Sequence, residues 1–257
     1  MSCTVTNEVC AFVLLRFCEP DIAGHRVASV TGVTSDTGFS DVVFPIGIDV
    51  DGFTALTQAR EAREMYERIQ RDYSRRRLLL GVERLDYSKG LPQRLKAFRQ
   101  LLQSYPENLG SATLIQIASP SREALDSYTD LLQELESLCG SINGDFGELD
   151  WMPVRYMHRN VARKRLPGLY RVVRVALVTP LRDGMNLVAK EYVACRSDLG
   201  GALLLSEFTG AAAELRQAFL CNPHDLDDVK DSMAKALNQP REDGRRHMRL
   251  PLLQRHP

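Results

Sequence analysis

The amino-acid sequence predicts an α/β fold with a doubly wound parallel sheet, and two observations support this class. From residue 78 onward, short and nearly continuous apolar runs alternate with longer stretches whose apolar residues recur at helical spacing. Such runs are typical of parallel strands that are covered by helices on both faces. The composition, with 44% hydrophobic and 26% charged residues over 257 positions, is that of an ordinary globular chain.

The predicted elements follow one another in order from residue 78. The strands are predicted at 78–82, 112–118, 153–157, 175–179, 202–206 and 219–221. The helices are predicted at 91–104, 121–139, 161–170, 186–195, 211–218 and 225–237. Pro92 suits a first helical turn, whereas Pro167 and Gly168 are expected to break the third helix. These units complete a Rossmann-like domain, whose ligands bind outside the carboxyl ends of the strands.

The chain before residue 78 follows a different pattern. Residues 42–48 predict one strand, placed at an edge or a terminus because it contains Pro45. Residues 53–77 predict one long, charged helix with few apolar members. We therefore expect an N-terminal remnant (1–53), a connector helix (54–77), a ligand-binding domain (78–240) and a basic tail (241–257).

Charge and cysteine usage limit the kinds of partner. The 33 Lys and Arg residues balance 33 Asp and Glu residues, which argues against a nucleic acid or an anionic membrane as partner. The six cysteines form no Cys-x-x-Cys pair, so we expect reduced thiols rather than a zinc site or a disulfide scaffold. The apolar run at 9–15 is too short to span a bilayer. These features predict a cytoplasmic location.

Cations follow the first two predicted strands of the sheet at its ligand edge. Arg84 and Lys89 precede the helix at 91–104, and Arg122 follows the strand at 112–118. Arginine binds phosphate oxygens through a planar fork, lysine adds a point charge, and a helix N-terminus adds positive potential. The three cations therefore favour a diphosphate. The alternative for Arg84 and Lys89 is a solvent-exposed loop with an Arg–Asp ion pair.

The loop after the strand at 175–179 is the most informative segment. Gly184 permits close approach of a ligand to the backbone, and the amides that open the next helix suit a sugar or a phosphate. Asp183 can accept a hydrogen bond from a hydroxyl, and Glu191 can bind a ribose diol as an acidic residue does in dinucleotide folds. In the alternative interpretation, Asp183 caps the helix and Glu191 lies on its surface.

Several other motifs are absent or weak. The sequence contains no Gly-x-Gly-x-x-Gly and no Gly-x-x-x-x-Gly-Lys-Ser/Thr, so neither a nicotinamide site nor a P-loop is expected. Asp49 and Asp51 form an acidic pair of the kind that can hold a metal, but they follow the Pro45 strand, away from the ligand edge. The five histidines lack metal-ligand spacing, and Trp151 is interpreted as a packing residue.

Two long segments, residues 81–92 and 179–192, closely resemble the trehalose-6-phosphate synthase family. Shorter matches occur at 44–49, 150–153 and 206–212, so the resemblance covers roughly residues 42–240. Members of this family are retaining glycosyltransferases with two Rossmann-like domains, the GT-B arrangement. The resemblance implies transfer of glucose from UDP-glucose to glucose 6-phosphate, giving trehalose 6-phosphate and UDP, without a cofactor or a catalytic metal.

The resemblance also implies roles for individual residues. Arg84 and Lys89 would bind the UDP phosphates, and Arg122 would lie near these or the acceptor phosphate. With Arg84 and Lys89, Asp183 is predicted to be catalytic. The groups implied to hold the rest of the donor are Asp183 and the amides of Gly184, Met185 and Asn186 for the glucose, the amides of Leu187 and Val188 for the diphosphate, and Glu191 for the ribose.

The resemblance implies a further N-terminal Rossmann-like domain that has few counterparts before residue 78. We therefore expect a truncated copy, a fragment of a longer reading frame or a sequence with a mis-called start. Such a chain is expected to bind the donor but to transfer glucose poorly when alone, and to expose an inter-domain face that favours self-association. Acceptor choice lies mostly in the missing half, so a related synthase such as glucosylglycerol-phosphate synthase stays open. A non-catalytic module that binds a nucleotide sugar is the alternative of another class.

Overall fold

The structure is a computed structural model that describes residues 29–33, 39–43, 47–120 and 126–240. Its strands are β1 Ser29–Val33, β2 Phe39–Val43, β3 Arg77–Arg84, β4 Ala112–Ser119, β5 Val154–Met157, β6 Val175–Val178, β7 Ala202–Ser206 and β8 Phe219–Cys221. Its helices are α1 Val50–Leu56, α2 Arg60–Asp72, α3 Leu91–Ser104, α4 Asp126–Phe146, α5 Leu166–Val172, α6 Leu187–Cys195, α7 Ala211–Glu214 and α8 Leu226–Asn238. Short 3₁₀ turns occur at Tyr87–Lys89, Pro106–Asn108 and Arg163–Arg165.

The last six strands form one parallel sheet in the order β5-β4-β3-β6-β7-β8. This is the doubly wound order of nucleotide-binding folds, and it confirms the predicted fold class. The chain builds outward from β3 to β4 and β5, then crosses back to β6 on the other side of β3. The order thus reverses between β3 and β6, which makes the carboxyl ends of these two strands the expected ligand position.

Alternate side chains of β3 belong to two hydrophobic cores, one on each face of the sheet. Leu79 belongs to a cluster that includes residues of α3, α4 and α8, whereas Leu78 and Leu80 belong to one that includes residues of α5 and α6. Successive side chains point to opposite faces of a strand, so a continuous apolar run packs on both. Trp151 is buried in the first cluster, and its indole nitrogen donates to the carbonyl of Ala112, as a packing role requires.

The single long helix predicted at 53–77 is wrong. Two helices, α1 and α2, cover this region, and they are separated by a tight turn at 57–59. The Thr57 hydroxyl donates to the carbonyl of Thr54 at 2.6 Å, and Ala59 is extended. Phe53 and Ala62 are both 1% exposed. Buried tertiary contacts therefore bend the chain back onto the helical layer that holds α5 and α6.

The break predicted at Pro167 and Gly168 is also wrong, because these residues lie in the first turns of α5. Proline is tolerated there since its missing N–H would have no helical partner. A Cβ on Gly168 would overlap the carbonyl of Ala62. Glycine is therefore needed where α5 crosses α2 at close range.

The remaining predictions before residue 78 meet the structure only in part. Of the strand predicted at 42–48, residues 42 and 43 end β2, residues 47 and 48 have no regular structure, and 44–46 lie outside the described residues. Strand β2 pairs with β1 in an antiparallel two-stranded sheet that the sequence did not predict. Within the described ranges, no helix combines the length and apolar character needed to cross a membrane.

Candidate active site

The loop after β3 is a compact turn that ends in a glycine. Asp86 accepts hydrogen bonds from the Ser88 amide at 2.8 Å and the Ser88 hydroxyl at 2.7 Å, which fixes the turn. Gly90 has a φ of +64° and leads directly into α3. A Cβ at this position would lie 2.8 Å from the carbonyl oxygen of Thr179. The glycine therefore lets this loop approach the end of β6.

The loop after β6 is bound to its neighbours on both sides. The amides of Leu181 and Arg182 donate to the carbonyl of Ser88 at 2.8 and 3.3 Å. On the other side, the amide of Asp183 donates to the carbonyl of Phe208 at 3.2 Å, and the carbonyl of Gly184 accepts from the amide of Gly210. The two loops that flank the switch point are thus held together by backbone hydrogen bonds.

Lys89 and Asp183 meet in an ion pair at the centre of this edge. The distance from Lys89 Nζ to Asp183 Oδ2 is 2.8 Å, and the side chains are 14% and 17% exposed. The carboxylate also accepts from Asn186 Nδ2 at 2.7 Å and from the Gly184 amide at 2.9 Å. Asp183 does not cap the helix: Asn186 is the N-cap of α6, with a φ of +50°. The alternative predicted for Asp183 is therefore wrong.

Arg84 differs from Lys89 because its side chain is exposed and makes no hydrogen bond to any residue in the described ranges. Gly184 is also exposed, and apart from its two chain neighbours no described residue has an atom within 4 Å of where its Cβ would be. The amides of Leu187 and Val188 lie in the first turn of α6, where the helix itself offers no acceptor. Arg122 lies outside the described residues.

Glu191 lies about one turn into α6 and is half-buried. The Tyr170 hydroxyl donates to its carboxylate at 3.5 Å. Burial raises the pKa of the Glu191 carboxyl, against the opposing effects of the Arg163 charge and the Tyr170 hydrogen bond. Met185 packs against the same core cluster that contains Tyr170. Contacts of Met185 and Glu191 with the core cluster around Tyr170 thus hold the loop and the start of α6 in place.

A buried polar network beneath both loops was not predicted. Arg94 of α3 is 1% exposed and donates from Nε to Thr179 Oγ1 at 2.9 Å and from Nη1 to Gln116 Oε1 at 2.9 Å. It also pairs with the carboxylate of Glu83. A charged residue three positions after Leu91, on the apolar face of a predicted helix, is the signal that could have revealed it.

In the part of the chain that the structure describes, no three His, Cys, Asp or Glu residues are grouped so that they could hold a metal ion. Asp49 instead caps α1, where it accepts from the Gly52 amide at 2.8 Å. Cys139, Cys195 and Cys221 are free and buried, and burial raises the pKa of each thiol to about 12.

Together, the strand order and the two joined loops define a doubly wound α/β domain of the class found in nucleotide-binding proteins, with cations and helix-opening amides at the carboxyl edge of its sheet. The chain belongs to glycosyltransferase family 20, whose family model matches residues 17–252. The predicted family and fold are thereby confirmed.

Similar proteins agree with this assignment. The chain is 54% identical over 207 residues to the trehalose-6-phosphate synthase of Mycobacterium avium (strain 104), covering 80% of this chain and 42% of that protein. A Burkholderia xenovorans α,α-trehalose-phosphate synthase (UDP-forming), solved with glucose-6-phosphate, superposes with a TM-score of 0.78 at 37% identity, covering 87% and 51% of the two chains. An E. coli structure bound with UDP-2-fluoro glucose gives 0.77 at 36% identity, covering 86% and 51%. The chain spans less than half the length of the curated relatives that it matches.

Proposed function

We propose that this chain forms the donor-binding half of a UDP-glucose-dependent glucosyltransferase that acts on glucose 6-phosphate and releases UDP and trehalose 6-phosphate. The observation that carries the proposal is the junction of the two loops at the switch point, with Arg84, Lys89 and the first amides of α6 on one edge. The similar proteins solved with glucose-6-phosphate and with UDP-2-fluoro glucose support the choice of substrates.

The diphosphate is assigned to the cations and to the start of α6. The Arg84 guanidinium makes no hydrogen bond to the residues that the structure describes, and the amides of Leu187 and Val188 supply neutral donors at a helix N-terminus. Lys89 reaches the phosphate by exchanging its bond to Asp183 for one to a phosphate oxygen. Arg122 is assigned to the same phosphates or to the acceptor phosphate.

The sugar is assigned to the loop that begins at Asp183. Once Lys89 turns to the phosphate, the Asp183 carboxylate keeps its bond to Asn186 and accepts from a glucose hydroxyl, while the Gly184 amide exchanges that carboxylate for the sugar. The amides of Gly184, Met185 and Asn186 face the same hydroxyls, and exposed Gly184 leaves room for the ring. Glu191 accepts from the ribose diol.

In the proposed reaction, the bond between the anomeric carbon and the diphosphate oxygen breaks while a bond to the acceptor hydroxyl oxygen forms on the same face. The hydroxyl proton passes to the leaving phosphate. Negative charge grows on the diphosphate as the sugar becomes oxocarbenium-like, so cations and fixed amides stabilise the transition state more than the ground state.

We also propose a cellular compartment for the chain and a surface for its self-association. The free, buried cysteines suit a reducing cytoplasm. Tyr87, in the loop after β3, is 51% exposed, and Leu187, the first residue of α6, is 38% exposed. We assign this face to contact with a facing domain, or with a second copy when the chain is alone.

Calorimetry with the 257-residue chain and four ligands tests the donor assignment. UDP and UDP-glucose are expected to bind, at least about tenfold more tightly than ADP and NAD⁺. The preference follows from the lack of a glycine fingerprint and from a loop shaped for a sugar next to the diphosphate. Absence of UDP binding, or equal affinities for all four ligands, would contradict the proposal.

A further inference from the structure

We propose that Arg94 is a positioning residue, which holds the two ligand loops in register from beneath without touching the ligand. The inference rests on the proposed function, because it assigns a role toward the same UDP site. Arg94 is the largest fully buried side chain among the described residues. Its guanidinium reaches the carboxyl-terminal parts of three neighbouring strands.

Each contact of the guanidinium lies next to a segment of the candidate site. Glu83, its ion-pair partner, directly precedes Arg84 at the end of β3. Thr179, which accepts from Nε at 2.9 Å, directly follows β6 and opens the loop that carries Asp183. The remaining nitrogen, Nη2, lies 3.5 Å from the carbonyl oxygen of Lys89. One buried group therefore connects the starts of both loops and the backbone of Lys89.

The network is closed by Gln116 of β4. Its Oε1 accepts from Arg94 at 2.9 Å and its Nε2 donates to Glu83 at 3.0 Å. The three side chains therefore form a ring of hydrogen bonds in which the guanidinium and the carboxylate each have two partners. A low local dielectric strengthens such a satisfied network and fixes its geometry.

A glycine within β3 makes room for this arrangement. A Cβ on Gly81 would overlap Arg94 Nη1 and would lie 2.5 Å from Gln116 Oε1. Glycine weakens a strand interior and there often marks a close approach. At Gly81 the group that comes close to the strand is the guanidinium of Arg94, which packs against β3 next to the switch point.

A positioning role differs from general support of the fold in what it does to ligand affinity. If Arg94 acts by positioning Lys89 and Asp183, its removal lowers UDP affinity only in a chain whose Lys89 and Asp183 can still bind the ligand. If it merely stabilises the domain, its removal lowers stability and leaves the affinity of the folded chain for UDP unchanged, or changes it equally in every background.

A double-mutant cycle with calorimetry separates the two roles. Arg94→Met keeps an unbranched side chain and removes the donors. It is expected to weaken UDP binding about tenfold in the wild-type background and by about twofold or less in a Lys89→Ala background. Equal losses in both backgrounds, or no loss in either, would overturn the proposal.

A milder pair of variants decides the question where Arg94→Met yields no folded chain. Thr179→Val removes the acceptor of Arg94 Nε and keeps the shape of the side chain. Thr113→Val is the matched control, since Thr113 is equally buried but lies at the opposite end of the sheet, where it accepts from Trp151.

Both variants are expected to lower the melting temperature to a similar extent, because each removes a buried hydroxyl. Only Thr179→Val should weaken UDP binding, by about threefold. Unchanged UDP affinity in Thr179→Val, or an equal loss in both variants, would overturn the positioning role. Wild-type chain that fails to bind UDP would instead overturn the proposed function, so the two failures are distinguishable.

Discussion

The two ends of the six-stranded sheet both carry arginines, but they use them differently. At the amino end, Arg77, Arg174 and Arg196 line a cavity of about 560 Å³. Arg196 Nη1 donates to the carbonyls of Tyr170, Arg171 and Val173 at 3.1, 2.6 and 3.1 Å, at the end of α5. The Nη1 group of Arg196 therefore caps the C-terminus of α5 by donating to its last carbonyls.

At the carboxyl end, Arg84 and the first amides of α6 offer donors to a ligand. Arg84 makes no hydrogen bond within the described ranges, and Lys89 is held by the carboxylate of Asp183. The amides that open α6 have no helical acceptor. The comparison teaches that the number of cations does not locate an anion site. We propose that the commitment of their donors does, and three predictions test this difference.

The largest expected effect concerns the amino end. Arg196→Met leaves two buried carbonyls and one part-buried carbonyl without this donor, and we expect the free energy of unfolding to fall by about 2–4 kcal/mol. Urea denaturation measures this loss. UDP affinity of the folded variant should be unchanged, because Arg196 lies at the far end of the sheet. A large loss of affinity would mean that the two ends are coupled, and the comparison would fail.

The carboxyl end should show the reverse pattern. Arg84→Ala removes an exposed side chain, so the melting temperature should stay within about 1 °C of the wild-type value. UDP binding should weaken by about tenfold to a hundredfold, because charged hydrogen bonds to the diphosphate are lost. Arg75→Ala is the control, since Arg75 is exposed just before β3. If both variants lose the same affinity, only the net charge matters.

Much of the sheet could be predicted from the sequence, because parallel strands buried on both faces leave a local signal. Strands β7 and β8 begin and end where the apolar runs predicted them. The helix at 91–104 was also confirmed, since its apolar period is regular. The region 53–77 failed because its bend depends on burial of Phe53 and Ala62 against helices that come about a hundred residues later.

The site was predictable only up to the edge on which it lies. The sequence placed Lys89 and Asp183 at one end of the sheet, but their ion pair joins residues 94 positions apart. The same holds for the contact of Arg94 with Thr179, which spans 85 positions. Periodicity records which face a residue occupies and not which partner it finds there. The roles assigned to Arg84, Asp183 and Glu191 therefore stay predictions until ligand binding is measured.

The smallest expected effect concerns Glu191, which can sharpen the comparison within the carboxyl end itself. Glu191→Gln should weaken UDP by about threefold to tenfold and leave the affinity for inorganic diphosphate nearly unchanged. The reason is that the proposed partner is the ribose diol, which diphosphate lacks. Calorimetry with both ligands measures the difference. Equal losses would show that Glu191 acts by shaping the loop that binds phosphate.

The same variant has a pH-dependent effect on stability whose sign follows from burial. Burial raises the pKa of Glu191 in the folded chain, so folding favours the protonated carboxyl. That contribution is fully present below the unfolded pKa and is lost as pH rises through the higher folded value. The glutamine side chain is uncharged at every pH, so the variant lacks this pH-dependent contribution. The Gln variant should therefore gain stability relative to wild type as pH rises above the ordinary glutamate pKa of about 4.3, as measured by the difference in melting temperature. A difference that stays constant over this range would mean that Tyr170 and Arg163 compensate the burial of the carboxylate, and that the ionised form already fits the site.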